Sequence, residues 1–362
     1  MSDLPFHNKY LAEGKRNITA NFSDIEVESK SPSNIALIKY WGKFGNQFPG
    51  NPSVSFTLSK SQTTTHFSIK ESLNKNFELD YFFNNVRNKN FEMRLKKYFD
   101  SIEQYFPFIK SLQFRIDSHN TFPHSAGIAS SASAFSALAM CVCRLEKQLF
   151  DIEENYGDLL RKASFMARIG SGSACRSVYS GIVLWGETPY IQGSSNEIAL
   201  DINKFAHQIF ATYFDAVLVI DSSPKMLSSS EGHKLMNKHA FANARYNQAK
   251  ENLNFLLSAM KTGDEPEFSR IVENEALTLH GLMLSSSPGF ILFQPNTLIV
   301  IEKLQKFRIN SKLQLTYTLD AGPNVHILYS LKIREKIIDF IESELKQYCE
   351  HGHWIDDKIS EL

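Results

Sequence analysis

The chain has 362 residues, of which 43% are hydrophobic and 22% are charged, and it carries 39 Lys and Arg against 39 Asp and Glu. This composition is that of a folded globular protein, and the length suits about two domains. Because the net charge is zero, nothing in the composition favours binding to nucleic acid or to an anionic membrane. Any anionic ligand therefore requires a local pocket.

The sequence predicts neither an export signal nor a membrane span. The N-terminus, MSDLPFHNKYLAEGKRN, lacks the apolar core of a secretion signal. The longest apolar runs, AVLVI at 216–220 and TLIVI from residue 297, are far shorter than the roughly 20 residues that cross a bilayer, and we interpret them as buried strands. Four scattered cysteines form no disulfide framework: Cys141, Cys143, Cys175 and Cys349. We expect a protein of the reducing cytoplasm.

The first half of the chain is predicted to contain strands and helices in alternation. The polar first 30 residues predict a mobile lead-in plus one strand, and they end in a turn-forming stretch at 31–34. Hydrophobic periodicity then predicts, in chain order, strands at 54–58 and 63–69, a helix over 90–106, a strand at 112–117, a helix over 134–149 and a strand at 180–185.

The second half is predicted to begin after a boundary near 190–205. Its predicted elements are a strand at 216–221, a long amphipathic helix over 231–261, strands within 313–330 and a C-terminal helix over 333–348. The order lacks a strict βαβ rhythm, so we expect α+β architecture in both halves.

A Gly/Ser/Ala-rich loop at 123–132 leads directly into the predicted helix 134–149. Gly127 and its small neighbours let backbone N–H groups approach an anion, and the helix adds the positive end of its dipole. Ser130 and Ser131 add hydroxyl donors or a ligand for Mg²⁺. The structural alternative is a tight helix entry capped by serine. The pattern is neither a Walker A loop nor a dinucleotide-binding G-x-G-x-x-G loop.

Two lysines flank an aromatic pair in the segment 36–43. If Lys39 is buried, its ammonium requires a partner, such as a phosphate or a carboxylate, because a lone buried charge is very unfavourable. The alternative is a surface lysine whose stem packs on apolar side chains while its head reaches water.

Three further segments contain residues suited to a polar cleft. Arg176 follows a Gly-Ser turn at 170–173 and is suited to bidentate binding of a carboxylate or phosphate, or to pairing with a surface acid. Asp320 ends a predicted strand, where it can serve as a general base or simply form the turn. His233 lies in a polar connection that either enters the same cleft or caps the next helix.

Four of these segments occur in an order that resembles one enzyme family. They are SPSNIALIKYWGK at 31–43, PHSAGIASSASA at 123–134, GSGSACRS at 170–177 and LDAGPNVHIL at 319–328. Together they resemble the diphosphomevalonate decarboxylases of the GHMP kinase superfamily. The resemblance spans residues 31–328, and the first and third motifs are those of the decarboxylase branch.

The resemblance implies an α+β, two-domain GHMP kinase fold with the active site in the cleft between the domains. Residues 1–200 would form a ribosomal protein S5 domain 2-like domain with the ATP phosphate loop, and residues 201–362 a ferredoxin-like domain. The implied reaction uses ATP and Mg²⁺ to phosphorylate the 3-hydroxyl of mevalonate 5-diphosphate. Phosphate and CO₂ then leave together, which gives isopentenyl diphosphate for isoprenoid biosynthesis through the mevalonate pathway. A homodimer is common in this family and is expected here.

The resemblance also implies roles for individual residues. Asp320 would orient or deprotonate the 3-hydroxyl with Lys39 beside it, and Arg176 would bind the substrate carboxylate. The substrate and its 5-phosphates would be surrounded by Tyr40, Lys43, Ser171, Gly172 and Ser173. The ATP phosphates would be held by Gly127, Ala129, Ser130 and Ser131, with Ser130 also a candidate Mg²⁺ ligand.

Departures from the family pattern leave other functions open. Phe44 and Gly45 follow Lys43 where many members have Arg-Asp, and His233 stands where the family usually has a substrate-contacting methionine. These two departures favour, as an alternative, a decarboxylase of mevalonate 5-phosphate that yields isopentenyl phosphate. At the phosphate loop, Ile128 replaces the usual leucine, from which we expect no effect.

Two further alternatives are a relative that phosphorylates the 3-hydroxyl without decarboxylation and a non-catalytic ligand-binding protein of GHMP fold. Retention of both Asp320 and Lys39 argues against the first of these. The presence of all the candidate catalytic residues argues against the second.

Overall fold

The computed structural model describes residues 4–15, 25–72, 77–122, 129–223 and 229–361. Its helices are α1 (Pro5–Gly14), α2 (Lys89–Ile102), α3 (Ser130–Phe150), α4 (Tyr156–Gly170), α5 (Ser229–Leu235), α6 (Ala242–Thr262), α7 (Glu265–Leu284), α8 (Pro295–Ser311) and α9 (Arg334–Phe340). Its strands are β1 (Ile25–Ile38), β2 (Lys43–Phe44), β3 (Phe48–Pro49), β4 (Ser53–Glu71), β5 (Glu78–Phe83), β6 (Val86–Arg87), β7 (Leu112–Asn120), β8 (Ile182–Trp185), β9 (Ala199–Asp201), β10 (Tyr213–Leu218), β11 (Leu315–Thr318), β12 (Val325–Ser330) and β13 (Trp354–Lys358).

Seven strands of the first half form a mixed sheet around the long strand β4. β1 runs antiparallel along one side of β4, and β7 and β8 pair with successive parts of its other side. β5 lies parallel to β7, while β6 and β9 are the outermost strands. Helices α2, α3 and α4 pack on this sheet through a large apolar core that includes Phe67, Phe99, Phe114, Leu138 and Phe165.

The local sequence explains why α2 forms and which face it buries. The side chain of Asn88 accepts a hydrogen bond from the backbone N–H of Phe91 and so caps the first turn. The buried residues Leu95, Phe99 and Ile102 recur at spacings of four and three, which is the period of one helix face. The predicted helix over 90–106 is thus confirmed over most of its length.

Three predictions for the first half need correction. The strands predicted at 54–58 and 63–69 are parts of the single strand β4, because the backbone stays extended between them. The stretch 31–34 lies inside β1, where a shift of register between Pro32 and Asn34 accommodates the proline. The lead-in also contains helix α1, whose first N–H groups, from Phe6 and His7, donate to the carboxylate of Glu197.

The second half is built on a four-stranded antiparallel sheet in the order β11-β12-β10-β13. Helices α8 and α9 pack on it through a second core that includes Leu218, Val300, Leu304, Ile327 and Ile337. The strand predicted at 216–221 is confirmed as β10, and those within 313–330 as β11 and β12.

Helices of the second half also differ from the predictions. The run from residue 297 belongs to α8, not to a strand: Thr297, Val300 and Ile301 are buried while the two residues between them are exposed, which is a helical period. The helix predicted over 231–261 is broken into α5 and α6, because His239 is extended and accepts from the N–H of Phe241. The C-terminal helix is α-helical only in α9 and continues as π and 3₁₀ turns to residue 348.

A third apolar cluster joins the two halves. It brings Phe56 of β4 against Tyr213 of β10 and Phe268 of α7, with ring centroids 6.0 and 5.9 Å away.

The two sheets use residues 25–201 and 213–358, close to the predicted boundary at 200/201, and the division into domains stays a prediction. In the described ranges, no helix has the length and apolar character needed to cross a bilayer. All four cysteines are buried thiols.

Replacing Phe56 with alanine is expected to destabilise the protein strongly, because the side chain is fully buried between the two halves. Large-to-small changes of this kind cost about 3–5 kcal/mol. Val86→Ala is the control, since Val86 is 70% exposed on β6, and we expect it to cost less than about 0.5 kcal/mol. Denaturant unfolding measures both. If both variants lose equally little unfolding free energy, the apolar cluster around Phe56 does not hold the two halves together.

Candidate active site

A cavity of roughly 240 Å³ is lined by both halves of the chain. It brings together eleven of the predicted site residues: Lys39, Tyr40, Lys43, Ala129, Ser131, Ser171, Gly172, Ser173, Arg176, His233 and Asp320. Ser130 does not line it, and Gly127 and Ile128 lie outside the described residues. Phe44 and Gly45 do not line it either, so the family departure at these positions falls outside the cavity wall.

Lys39 is buried at this cavity and is paired with an acid from the other half. It directly follows β1 and is 2% exposed. Its ammonium donates to the carbonyl of Ala36 at 2.7 Å and lies 3.2 Å from Oδ1 of Asp320. Burial lowers the pKa of Lys39, and the carboxylate of Asp320 opposes that shift. The structure thus excludes a surface lysine and provides the partner that a buried one requires.

Side chains of the second half hold the backbone of Lys39. Its N–H donates to Glu275 of α7 at 2.8 Å, and its carbonyl accepts from Arg245 of α6 at 3.2 Å. Arg245 in turn donates to both carboxylate oxygens of Glu275, at 2.5 and 2.7 Å, and both side chains are buried. No sequence motif marks Arg245 and Glu275, which lie 30 residues apart and meet only when α6 and α7 pack.

Arg176 lies in the 3₁₀ turn Gly172–Val178 and is 2% exposed. Its guanidinium donates to the hydroxyl of Ser53 at 2.5 Å and to the side-chain carbonyl of Asn34 at 3.3 Å. Within the described ranges no carboxylate forms an ion pair with it, and its Nε has no hydrogen-bond partner. Since neutral acceptors fix its orientation, the charge of this arginine remains available to an anionic group in the cavity.

A second group of cations lies at the side of the cavity formed by α2 and the β2–β3 hairpin. Lys43 donates to Gln47 at 2.8 Å, and burial lowers the pKa of Lys43 with help from the charges of Arg94 and Lys234. Arg94 lines the cavity and lies over the ring of Phe135 at 4.8 Å. Sequence reasoning missed Arg94, because it is one of several charged residues on an amphipathic helix. Cations this close together suit a polyanionic ligand.

His233 is a buried, neutral histidine in α5. Its ring packs against Tyr40 and Trp41, with centroids 4.3 and 4.8 Å away, and its Nδ1 accepts from the N–H of Gly42 at 3.0 Å. Burial, together with the charges of Lys43 and Arg176, lowers the pKa of His233 to about 3. The proton of the neutral ring is therefore on Nε2, which makes His233 a hydrogen-bond donor at the cavity.

The backbone conformation at Gly42 strongly favours glycine. Its φ is +93°, and a Cβ there would lie 2.1 Å from the hydroxyl of Tyr246. The glycine thus lets the chain turn sharply after Trp41 and places its N–H on His233.

Helix α3 begins at the cavity. Ala129 adopts a left-handed conformation with φ of +37°, and no described side chain caps the first turn. The backbone N–H groups of that turn, with the hydroxyls of Ser130 and Ser131, form a positively polarised helix end of a 21-residue helix. The described part of the chain contains no group of three or more His, Cys, Asp or Glu that is arranged to hold a metal ion.

Comparison with known proteins gives the family. A model for the diphosphomevalonate decarboxylase-like N-terminal domain matches residues 31–196, and one for the mevalonate 5-diphosphate decarboxylase C-terminal domain matches residues 216–360. The chain belongs to the diphosphomevalonate decarboxylase family. The resemblance inferred from the four sequence motifs is confirmed.

Individual relatives agree with this membership. The chain is 28% identical to a diphosphomevalonate decarboxylase of Candida albicans over 339 residues, which cover 89% of this chain and 88% of the relative. It is 29% identical to the mevalonate diphosphate decarboxylase structure from Staphylococcus aureus, with a TM-score of 0.77 over 93% of this chain and 96% of that one.

A further similar structure contains ligands. It is MDDEF in complex with MVAPP, AMPPCP and magnesium, 26% identical, with a TM-score of 0.79 over 94% of this chain and 98% of that chain. AMPPCP is an analogue of ATP. The predicted α+β, two-domain GHMP kinase fold is confirmed by these structural matches.

The stability of the protein is expected to fall as the pH drops below about 6.5, in part because of His233. Its pKa is about 3 when folded and 6.5 in the unfolded chain, so below pH 6.5 the unfolded state binds the extra proton and is favoured. Each such histidine contributes a slope of up to about 1.4 kcal/mol per pH unit. His233→Met is expected to reduce the slope of unfolding free energy between pH 4.5 and 6.5.

His119→Gln is the control for this measurement, because His119 is exposed on β7. Urea unfolding at several pH values gives the slopes. A His233→Met slope equal to that of the wild type would mean that His233 is protonated in the folded protein.

Proposed function

We propose that this protein catalyses the ATP-dependent decarboxylation of mevalonate 5-diphosphate to isopentenyl diphosphate. The observation that carries the proposal is the buried Lys39–Asp320 pair, which faces the same cavity as Arg176. The family membership and the similar complex with MVAPP, AMPPCP and magnesium support the same activity.

Asp320 is the residue that we propose acts on the 3-hydroxyl of the substrate. Its side chain is 25% exposed and lines the cavity, as does Lys39, whose side chain is 2% exposed. The neighbouring ammonium favours the ionised carboxylate, which can accept the hydroxyl proton or orient the hydroxyl for phosphoryl transfer. Phosphoryl transfer depends mainly on positioning and charge neutralisation, and these two residues supply both at the reacting oxygen.

Arg176 is the proposed partner of the substrate carboxylate. Its guanidinium is fixed by Asn34 and Ser53 and is paired with no acid among the described residues. A buried guanidinium held by neutral groups gains a charge-assisted, bidentate bond when a carboxylate enters. It would therefore orient the group that leaves as CO₂.

The 5-phosphates are proposed to bind at the cationic side of the cavity. Lys43 and Arg94 supply charge there, and the nearby polar groups come from Tyr40, His233 and the turn Ser171, Gly172 and Ser173. Since this set is cationic and rich in donors, it fits a diphosphate better than a neutral group.

The first turn of α3 is proposed to hold the ATP phosphates. The N–H groups of that turn and the hydroxyls of Ser130 and Ser131 are suitable donors, and Ala129 directly precedes them. Gly127, which is also proposed to contact the phosphates, lies outside the described residues. Mg²⁺ is commonly held by substrate phosphates plus one or two protein oxygens, and the hydroxyls of Ser130 and Ser131 fit that role. When bound, the ion neutralises charge on the transferring phosphoryl group.

In the second step, the 3-phosphate leaves and positive charge develops at C3. The carboxylate of Asp320 stabilises that charge, and the electrons of the broken bond to CO₂ form the new double bond. A relative that only phosphorylates the hydroxyl has no such second step. Release of CO₂ therefore distinguishes the two activities.

One observation favours a second candidate, a decarboxylase of mevalonate 5-phosphate. His233 lines the cavity beside Tyr40 and provides an N–H donor where the family usually has methionine. An added donor can compensate for a shorter phosphate chain. The cytoplasmic location and the homodimer stay predictions from the sequence.

The test is to measure ADP and CO₂ release with Mg²⁺-ATP and each of the two mevalonate derivatives. We expect both products from mevalonate 5-diphosphate, and neither from the Asp320→Asn variant, whose nucleotide binding should stay nearly intact. CO₂ from the monophosphate alone would move the assignment to the second candidate, and ADP without CO₂ would indicate a 3-kinase. No ADP with either substrate would contradict an enzymatic role.

A further inference from the structure

Helix α7 passes behind the Lys39–Asp320 pair and contacts the backbone of both residues. Glu275 accepts from the N–H of Lys39, and His280, just over one turn further along, contacts the carbonyl of Asp320 at 3.1 Å. Leu279 of the same helix lines the cavity, whereas His280 does not. Among the described residues, the hydrogen bond that links His280 to the site is therefore the one to Asp320.

The hydrogen bond to Asp320 fixes the protonation of His280. A backbone carbonyl can only accept a hydrogen bond, so Nε2 carries the proton and Nδ1 of the neutral ring is unprotonated. Consistently, Nδ1 is buried and has no hydrogen-bond partner among the described residues. Burial also lowers the pKa of His280 to about 4, which keeps the ring neutral in the physiological range.

Packing holds the His280 ring in place. The side chain is 1% exposed, and its ring stacks on Phe293 with centroids 4.1 Å apart and planes 12° from parallel. A ring fixed on one face by an aromatic and at one nitrogen by a carbonyl has little freedom to turn.

Asp320 lies in a turn, where a hydrogen bond to its backbone can fix the position of its side chain. It lies in the turn between β11 and β12, beyond the last strand pair of that hairpin, Thr318↔His326. The described strand pairs do not include its peptide group, whose carbonyl also accepts from the N–H of Gly322 inside the turn at 2.7 Å. The position of its carboxylate therefore depends on the conformation of this turn. The bond from His280 ties the turn to α7, which also holds the backbone of Lys39 through Glu275.

We propose that His280 is the positioning residue of Asp320, which it holds at the distance from Lys39 and from the cavity that the reaction requires. This inference rests on the proposed function, in which Asp320 acts on the 3-hydroxyl. His280 neither exchanges a proton nor contacts substrate. It acts by restricting the turn, and small displacements of a reacting group cost large factors in rate.

The test compares His280→Leu with His280→Gln. Leucine removes the donor, whereas the amide nitrogen of glutamine can reach the same carbonyl. We expect His280→Leu to lower kcat by about 10- to 100-fold with little change in KM, because Asp320 is misplaced but the binding groups remain. His280→Gln is expected to recover most of that loss at every pH between 6 and 9, since no titration of residue 280 is involved.

The matched control is His239→Leu. His239 is also buried and contacts a backbone carbonyl of α7, that of Leu282 at 3.0 Å, and its described hydrogen bonds and ring contact are with Leu282, Phe241 and Ser285. Thermal melting shows whether the two leucine variants are destabilised alike. A loss of kcat that is equal in both, or a His280→Leu effect confined to KM, would overturn the proposal.

Hydrogen–deuterium exchange separates this proposal from the proposed function. In His280→Leu, the peptide that contains residues 319–324 is expected to exchange at least about threefold faster than in wild type and in His239→Leu. Unchanged exchange there would overturn the positioning role even if the wild type decarboxylates mevalonate 5-diphosphate. Faster exchange with no CO₂ from any substrate would support the positioning of Asp320 and contradict only the proposed function.

Discussion

The ion pair between Lys39 and Asp320 is the interaction on which the organisation of the site depends. Its two members lie 281 residues apart, one after β1 and the other between β11 and β12. A lysine that is 2% exposed is very unfavourable without an opposite charge, so the first half of the chain needs the second half to complete it. The apolar cluster around Phe56 and Phe268 holds the two halves in the relative position that brings Lys39 and Asp320 together.

The same constraint gives the cavity its electrostatic character. Lys39, Arg176, Lys43 and Arg94 line it, whereas Asp320 is its one acidic residue among the described lining. A chain with no net charge therefore carries a local excess of positive charge in one small cavity. This arrangement suits a substrate with several anionic groups, because the single carboxylate pairs with Lys39 and leaves the other cations of the cavity without an acidic partner in the described lining.

Sequence reasoning predicted the residues whose roles are local and missed those that depend on packing. The motifs around Lys39, Arg176 and Asp320 were recognisable because each lies beside a distinctive turn, and the structure brings all three to one cavity. The partners that hold the backbone of Lys39, Glu275 and Arg245, come from distant segments with no special pattern. Short apolar runs were also ambiguous: the segment from Thr297 has strand-like composition, but its buried positions follow a helical period.

A double-mutant cycle on stability tests most directly whether the two halves depend on this pair. The variants are Lys39→Met, Asp320→Asn and the combination, measured by denaturant unfolding at pH 7. We predict that Asp320→Asn alone is destabilising because it leaves a buried ammonium without its charge partner, and that adding Lys39→Met restores stability, with a coupling of about 1 kcal/mol or more. Losses that add within about 0.5 kcal/mol would contradict the account, because the two groups would then act independently.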